Sequence, residues 1–369
     1  MAKKDKKDPT LEKFLADMDK KFGENALVEF GEGVAEVEVL STGIPSLDYK
    51  LGVGGLPRGR IVEIYGPEGA GKTTLAIKIM AEAQKMAGQM PRTTYKFDPE
   101  NLKPISGRVG FIDVEHAFSP SLAELHGLNM GKDSGFYFTQ PTGGDEALQI
   151  LEYMVNSNLF DVIVVDSVAG LTSLEEQEKD IGTKVMAGTA QLMSSGLRKL
   201  VPLISESKTI VIFINQIREK VAVMFGSPET TPGGKALKFY SSVRMRVAQK
   251  ESLMEGTTRV GHVMGIDIRK NKVAPPFQKA EIELLYSESK GRPAGFDIFG
   301  DFLEVAKLSG VVELRGSSYQ YIDKSTGEIV KAVGQVKWRE LLESRPDIYE
   351  AIMNDMMGGN TNGDTSTDE

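Results

Sequence analysis

Short apolar runs alternate with longer helical patterns through the middle of the chain. The runs lie at residues 61–65, 109–113, 161–166 and 209–214 and are rich in Val and Ile. Each is too short for a buried helix, and helical segments separate them, which is typical of parallel strands covered on both faces. The pattern predicts an α/β fold built on a mostly parallel sheet.

The apolar pattern changes toward both ends of the chain. Leu11, Phe14, Leu15 and Met18 recur at helical spacing and predict an amphipathic helix over residues 9–22, which must pack on this chain or on a neighbour. Strand patterns near 242–248, 263–270 and 280–285 follow one another without long helices, and they predict an antiparallel extension of the sheet. A helix at 297–308, a hairpin at 319–328 and a helix around 338–342 then predict a separate small domain.

These changes divide the chain into four expected parts. They are an N-terminal helix and linker over 1–40, a core over 41–291, a small α+β domain over 292–352 and a disordered polar, acidic tail over 353–369. Residues 89–107 are polar and contain Pro91, Pro99 and Pro104, in a connection that needs only about 2–6 residues. We expect an inserted surface loop there.

A glycine-rich segment of the form G-x-x-x-x-G-K-[ST] joins the first apolar run to the next helical pattern. Its residues are Gly66, Pro67, Glu68, Gly69, Ala70, Gly71, Lys72, Thr73 and Thr74. Such a turn aims backbone N–H groups at one point, and the helix N-terminus adds partial positive charge. The segment predicts a nucleoside triphosphate site in which Lys72 reaches the β- and γ-phosphates and Thr73 binds Mg²⁺.

Polar side chains follow three of the other apolar runs. Asp166 ends its run and is the candidate partner of Thr73 at the metal ion, although a lone acid there is often only a cap. Glu115 follows its run by two residues and is either the base that activates water or a surface acid. Gln216 is either an amide that senses the γ-phosphate, as in a switch, or a solvated loop residue.

Residues 218–238 form a long segment in which glycines, cations and apolar side chains are interleaved. The side chains and glycines concerned are Arg218, Lys220, Val221, Met224, Phe225, Gly233, Gly234 and Lys235. A mobile basic segment with apolar side chains suits single-stranded nucleic acid, and the alternative is a lid over the nucleotide. A second glycine-bearing segment, 179–186, ends at Met186 and precedes Arg198, so the two segments could line one groove.

Composition and charge limit the partners, the cross-links and the cellular location that fit this chain. The 369 residues carry a net charge of −8, which argues against attraction of polyanions to the whole surface but leaves room for a local basic stripe. There are no cysteines and 3 histidines, so disulfides are excluded and a structural metal site is not expected. No apolar run could span a bilayer, and the basic start lacks the apolar region of a secretory signal. A reducing cytoplasm fits these features.

Long specific stretches of the chain resemble the bacterial-type RecA recombinase family, including its phage-encoded members. The resemblance covers roughly residues 10–345 and is carried by 66–74, 111–117, 162–169, 212–218, 223–240 and 270–277. The stretch 223–240 discriminates best, because other families with this phosphate loop lack it. The resemblance implies a RecA-type P-loop ATPase core that uses ATP and Mg²⁺.

The resemblance also implies functions for individual residues. Glu115 is then the base, Gln216 the γ-phosphate sensor, and 179–186 and 217–231 the two DNA-binding loops, with Met186 and Val221 between bases. Arg198, Arg218, Gly233 and Gly234 match positions that contact the DNA backbone, and Lys270 and Lys272 match cations that reach the ATP of the neighbouring subunit. Tyr286 would cover the base, whereas Ser119 and Leu122 stand where relatives often carry an acid and a tyrosine.

The implied activity is ATP-dependent strand exchange by a helical filament on single-stranded DNA, which also engages double-stranded DNA and works with single-strand-binding and mediator proteins. Two alternatives share the core. A hexameric helicase or motor ATPase would form closed rings and use an arginine finger, and a regulatory or clock-type ATPase would not need the loop at 217–235.

Overall fold

The computed structural model describes residues 9–23, 27, 37–93, 103–178, 188–219 and 229–358. Its strands are β1 Glu38–Leu40, β2 Leu56–Pro57, β3 Ile61–Gly66, β4 Arg92–Thr93, β5 Val109–Asp113, β6 Phe136–Thr139, β7 Val162–Asp166, β8 Ile210–Gln216, β9 Arg218–Glu219, β10 Glu229–Thr230, β11 Val243–Glu255, β12 Thr258–Asn271, β13 Lys279–Leu285, β14 Gly295–Phe296, β15 Val312–Arg315, β16 Ser318–Ile322 and β17 Ile329–Val333. Its helices are α1 Pro9–Phe22, α2 Pro45–Leu51, α3 Lys72–Lys85, α4 Pro120–Leu125, α5 Gly144–Asn156, α6 Leu174–Gln177, α7 Gly188–Ser207, α8 Ala236–Tyr240, α9 Ile298–Leu308, α10 Gly334–Ser344 and α11 Pro346–Gly358.

The largest sheet has the strand order β14-β13-β12-β11-β3-β8-β7-β5-β6. The pairs from β11 through β3, β8, β7 and β5 to β6 are parallel. The pairs from β11 through β12 and β13 to β14 are antiparallel. The predicted parallel core with an antiparallel extension is confirmed, while the half-exposed edge strand β6 was not predicted.

The sheet is a layer between two apolar clusters. Because successive strand residues point to opposite faces, Val162 and Val164 of β7 pack with Leu75 and Ile79 of α3 on one side. Ile163 and Val165 pack on the other side, in the cluster that includes residues of α5 and α7. Both faces of β7 are therefore buried, which explains its continuous apolar sequence.

Toward the end of the described chain, α9, the three-stranded sheet β15-β16-β17, α10 and α11 pack around the fully buried Trp338, in an apolar cluster of their own. The predicted hairpin is thus part of a larger sheet. The last helix continues through Gly358, and Met356 is 1% exposed, so the first residues of the predicted disordered tail are helical. Met353 and Met356 pack in this apolar cluster, and their burial outweighs the polar neighbours on which the prediction rested.

The N-terminal helix has the predicted bounds, and its apolar residues Leu11, Phe14 and Phe22 are 49%, 49% and 63% exposed. The inserted segment at 89–107 includes strand β4, which pairs with β1, so its first part is not a plain surface loop. Residues 94–102 of that segment lie outside the described ranges. No described helix is both long and apolar enough to cross a membrane.

Candidate nucleotide and DNA site

Four polar strand ends meet at one edge of the central sheet. β3, β8, β7 and β5 are consecutive parallel neighbours, so their carboxyl ends share that edge. Gly66 is paired with Gln216, and Asp113 is paired with Asp166. The sheet therefore brings the glycine-rich segment together with the residues that the sequence singled out after the other runs.

The glycine-rich segment forms a tight turn between β3 and α3. A Cβ atom at Gly66 would lie 2.1 Å from the Val247 carbonyl oxygen. Gly71 has φ +87°, and a Cβ atom there would lie 2.3 Å from the Met264 side chain. Only glycine fits these two positions, and the turn leaves Pro67, Glu68 and Gly69 exposed ahead of the N-terminus of α3.

Lys72 and Thr73 begin α3 and face the end of β7. The Lys72 ammonium donates to the Pro67 carbonyl at 2.8 Å, and the Thr73 hydroxyl donates to Asp166 Oδ2 at 2.6 Å. Burial lowers the pKa of Lys72, and the nearby Asp166 and Glu115 carboxylates oppose that shift. Burial also raises the pKa of Asp166 to about 6 against the hydrogen bond from Thr73, so Asp166 is mainly ionised at neutral pH.

The Thr73 hydroxyl and the Asp166 carboxylate fit a magnesium ion. Both are hard oxygen donors, they already touch, and they lie beside the turn that would hold phosphates. The geometry agrees with the sequence-based prediction for these two residues, which stays a prediction.

Glu115 is held by two donors from neighbouring strand ends. Its Oε1 atom accepts from the Ser167 hydroxyl and, at 3.0 Å, from the Gln216 side-chain amide. The Glu115 and Val114 N–H groups donate to the Asp166 carbonyl at 3.2 and 2.7 Å, which fixes the backbone. The Oε2 atom has no hydrogen-bond partner among the described residues and is available to a ligand.

Tyr286 follows β13 and is 49% exposed. Its hydroxyl lies 2.8 Å from Nδ1 of His262, which is buried. Ser119, one of the two departures from the pattern of the relatives, accepts from the Leu122 N–H at 3.4 Å and caps α4. Leu122 offers no aromatic ring there.

The described flanks of the two predicted DNA loops lie against each other. A Cβ atom at Gly233 would meet Val168 at 2.6 Å and Met193 of α7 at 3.4 Å, and one at Gly234 would meet Ala190 of α7 at 2.9 Å. Arg198 is exposed on α7. The structure thus brings the start of α7, which follows the first loop, next to the end of the second loop.

The second loop leaves β8 and returns as a short hairpin. Arg218 in β9 is exposed and pairs with Thr230 in β10, and Lys235 is exposed just before α8. Five DNA-binding candidates lie outside the described residues, namely Met186, Lys220, Val221, Met224 and Phe225.

A cavity of about 520 Å³ lies beside this hairpin and is rich in cations. Its charged lining residues are Glu229, Lys235, Lys238, Arg244, Arg246 and Arg269. The Arg246 guanidinium donates two hydrogen bonds, of 2.9 and 2.5 Å, to the carboxylate of Glu229 in β10. This fork lowers the pKa of Glu229 and ties the returning flank of the loop to β11.

Lys270 lies near the start of β3 and β11 rather than at the phosphate loop. In the sheet register, Lys270 of β12 lies opposite Arg244 of β11, and Arg244 lies opposite Glu63 of β3. The Lys270 ammonium donates to the Lys238 and Phe239 carbonyls at 2.8 and 2.9 Å. Burial, reinforced by the nearby Lys272 charge, lowers the pKa of Lys270 to about 8.

Three residues of this site were not singled out from the sequence. Ser167 donates to Glu115, and Gln249 donates to the Gly69 carbonyl. Arg246 binds Glu229 in the flank of the second loop. Ser167 could have been found because it follows a strand-end acid, but Gln249 and Arg246 carry no local signal and depend on the pairing of β11 with β3.

The fold and the site define a P-loop nucleoside triphosphatase whose parallel sheet places two loop flanks beside the nucleotide edge. The RecA N-terminal domain family matches residues 9–291. The chain is also 42% identical over 343 residues to Protein RecA of Halalkalibacterium halodurans, covering 93% of this chain and 89% of that protein.

Other RecA proteins are similar to this chain over nearly its whole length. Protein RecA of Dichelobacter nodosus is 42% identical over 340 residues, covering 92% of this chain and 88% of its own length. Protein RecA of Lactobacillus delbrueckii subsp. bulgaricus is 40% identical over 357 residues, covering 96% and 98%. The chain belongs to the RecA family. It is accordingly an ATP-dependent DNA recombinase and a DNA-dependent ATPase, and the helicase alternative is not favoured.

Proposed function

We propose that ATP binds at the turn of residues 66–74 and that its terminal phosphate organises the two DNA loops for strand exchange. The loop N–H groups and Lys72 would hold the β- and γ-phosphates, because they face the common strand edge. Thr73 and Asp166 would hold the magnesium ion, which neutralises phosphate charge when bound.

Glu115 acts as the general base in this proposal. Ser167 and Gln216 both donate to Oε1, so the carboxylate is fixed in orientation while Oε2 is open. A carboxylate held in this way can accept the proton of a water molecule that attacks the γ-phosphate. Lys72 supplies positive charge where negative charge develops.

The contact between Gln216 and Glu115 carries the proposal most directly. The Gln216 amide can donate either to Glu115, as observed at 3.0 Å, or to a γ-phosphate. Gln216 ends β8, and Arg218 begins the hairpin of the second loop two residues later. A change of partner at Gln216 therefore acts at the base of the DNA-binding segment, which is how a phosphate-driven switch works.

The DNA surface in this proposal consists of the two loops and their flanks. Arg198, Arg218, Gly233, Gly234 and Lys235 would contact the DNA backbone. Met186, Lys220, Val221, Met224 and Phe225 would complete the surface, with apolar side chains between bases. The contact of Gly233 and Gly234 with α7 supports a single groove.

A helical filament is the proposed assembly. The half-exposed apolar side chains of α1 would pack on the next subunit. Lys270 and Lys272 would reach the ATP of a neighbour, because Lys270 lies away from the phosphate loop of its own chain. Single-strand-binding and mediator proteins are proposed partners beside single- and double-stranded DNA, and the cytoplasm is the proposed location.

The experiment compares Lys72→Ala with Lys85→Ala, an exposed lysine at the other end of α3. Lys72→Ala should abolish DNA-stimulated ATP hydrolysis and nucleotide-dependent assembly, and Lys85→Ala should retain both. Electron microscopy with single-stranded DNA and a non-hydrolysable ATP analogue should show a helical filament for the wild type. Normal ATP hydrolysis by Lys72→Ala would refute the site, and closed rings would refute the assembly.

A further inference from the structure

A polar bridge joins the phosphate loop to the side of the site where Tyr286 lies. The Gln249 amide nitrogen donates to the Gly69 carbonyl at 2.7 Å, and its Oε1 accepts from Arg259 Nη2 at 2.7 Å. The Arg259 guanidinium lies over the Tyr286 ring, 5.8 Å from the ring centroid. A single amide group therefore separates Arg259 from the loop that would hold the phosphates.

Arg259 is oriented without being neutralised. Its Nε donates to the Gly261 carbonyl at 3.3 Å, and together with the bond to Gln249 this fixes the plane of the guanidinium. Within the described parts of the chain, no carboxylate forms an ion pair with it. A guanidinium held by neutral partners keeps its full charge and an open edge for a ligand.

The Tyr286 side chain is also fixed, by a hydrogen bond at its hydroxyl group. Its hydroxyl contacts the buried His262, whereas about half of the residue is open to solvent. The ring and the guanidinium therefore form one exposed surface with a fixed shape, beside the phosphate loop.

We propose that Arg259 is a nucleotide-contacting residue on the base side of the site, where its guanidinium and the Tyr286 ring receive the base. Gln249 is the positioning residue that ties this surface to Gly69. A planar guanidinium stacks on an aromatic base and donates to its edge, so it suits this task better than a lysine. The inference depends on the proposed nucleotide site at residues 66–74.

The test is steady-state ATP hydrolysis by Arg259→Met at saturating single-stranded DNA. The KM for ATP should rise roughly five- to tenfold, as expected for loss of one stacked or charged contact. The turnover number should change by less than about twofold, because the contact is made equally in the ground and transition states. Arg259→Lys should resemble Arg259→Met, and Gln249→Met should raise the KM by a smaller factor.

Inorganic tripolyphosphate, which has neither base nor ribose, separates the two ends of the site. Its inhibition constant against ATP should be the same for Arg259→Met and the wild type, and Arg315→Met, at an exposed arginine of the C-terminal domain, should match the wild type throughout. An unchanged KM in Arg259→Met, or an equal loss of affinity for ATP and tripolyphosphate, would overturn the inference. If the wild type hydrolyses ATP but tripolyphosphate does not compete with ATP, the proposed nucleotide site at residues 66–74 is itself wrong.

Discussion

Two hydrogen bonds reach the same oxygen of Glu115, and this geometry decides what the residue can do. The Ser167 hydroxyl and the Gln216 amide both use Oε1. The carboxylate is thereby fixed by two neighbouring strand ends while Oε2 can bind water. A surface acid, the other interpretation of the sequence, would not need such fixation.

Replacement of the base tests this interpretation at the residue scale. Glu115→Gln keeps the size of the side chain but removes its basicity, so the turnover number for ATP should fall by about 10²–10⁴-fold. Binding of ATP and DNA should persist, as measured by titration with a fluorescent nucleotide and a labelled oligonucleotide. Glu124→Gln, at an exposed acid on the nearby helix α4, is the control. Wild-type turnover by Glu115→Gln would place the base elsewhere.

At the scale of elements, the sequence predicts what depends on local pattern. β3, β5, β7 and β8 are buried on both faces, so their apolar runs are continuous and easily recognised. Edge strand β6 was missed because two of its four residues are exposed and no continuous buried pattern forms. Helix α11 was not predicted, and its last residues were assigned to the tail, because Met356 stands among polar residues and its burial depends on tertiary contacts.

In the candidate site too, residues marked by a local pattern could be predicted from the sequence, whereas residues placed by strand register could not. Five site residues lie at the end of a parallel strand or in the turn after one, so assignment of neighbouring parallel strands brings them to one edge; they are Lys72, Thr73, Asp166, Glu115 and Gln216. The bridge through Gln249 and the fork of Arg246 depend on the register of β11 against β3 and β12, which no local pattern specifies.

The contact between α9 and α2 gives an element-scale prediction about pH. Asp301 of α9 accepts from the Ser46 N–H at 2.7 Å, and burial raises the pKa of Asp301 to about 7 from 3.8. The folded protein therefore binds more protons than the unfolded chain between about pH 4 and 7, so this group lowers stability as the pH rises through that window.

Asp301→Asn keeps an acceptor for Ser46 but cannot ionise. Relative to the wild type, its free energy of unfolding should increase by on the order of 2–4 kcal/mol between pH 4 and 7.5, measured by urea denaturation. Glu304→Gln, on the exposed face of the same helix, should leave the pH profile unchanged. Parallel profiles for Asp301→Asn and the wild type would mean that Asp301 ionises normally in the folded protein.

At the scale of the whole molecule, the position of Lys270 bears on how neighbouring subunits contact each other. Its ammonium is bound to the carbonyls at the end of α8, and burial together with Lys272 lowers its pKa to about 8. A phosphate of a neighbouring subunit would relieve this electrostatic cost. ATP would then stabilise the contact between subunits as well as serve as the substrate.

Mixing two impaired variants tests whether Lys270 acts across the interface. Lys270→Met retains Glu115, and Glu115→Gln retains Lys270, so an interface can combine the intact halves of both. In a 1:1 mixture about a quarter of the interfaces should be complete, because each interface joins two different faces. ATP hydrolysis by the mixture should exceed the mean of the two variants alone. Activity equal to that mean would show that Lys270 serves its own subunit.

The central claim is that the terminal phosphate controls DNA binding through Gln216. The most direct measurement is the affinity for a labelled single-stranded oligonucleotide with a non-hydrolysable ATP analogue and with ADP, for the wild type and Gln216→Ala. The wild type should bind DNA more tightly with the analogue, by a factor of about 5–150 as is typical of coupled sites. Gln216→Ala should bind equally in both nucleotides. If Gln216→Ala keeps the full difference between the analogue and ADP, the proposed coupling is contradicted.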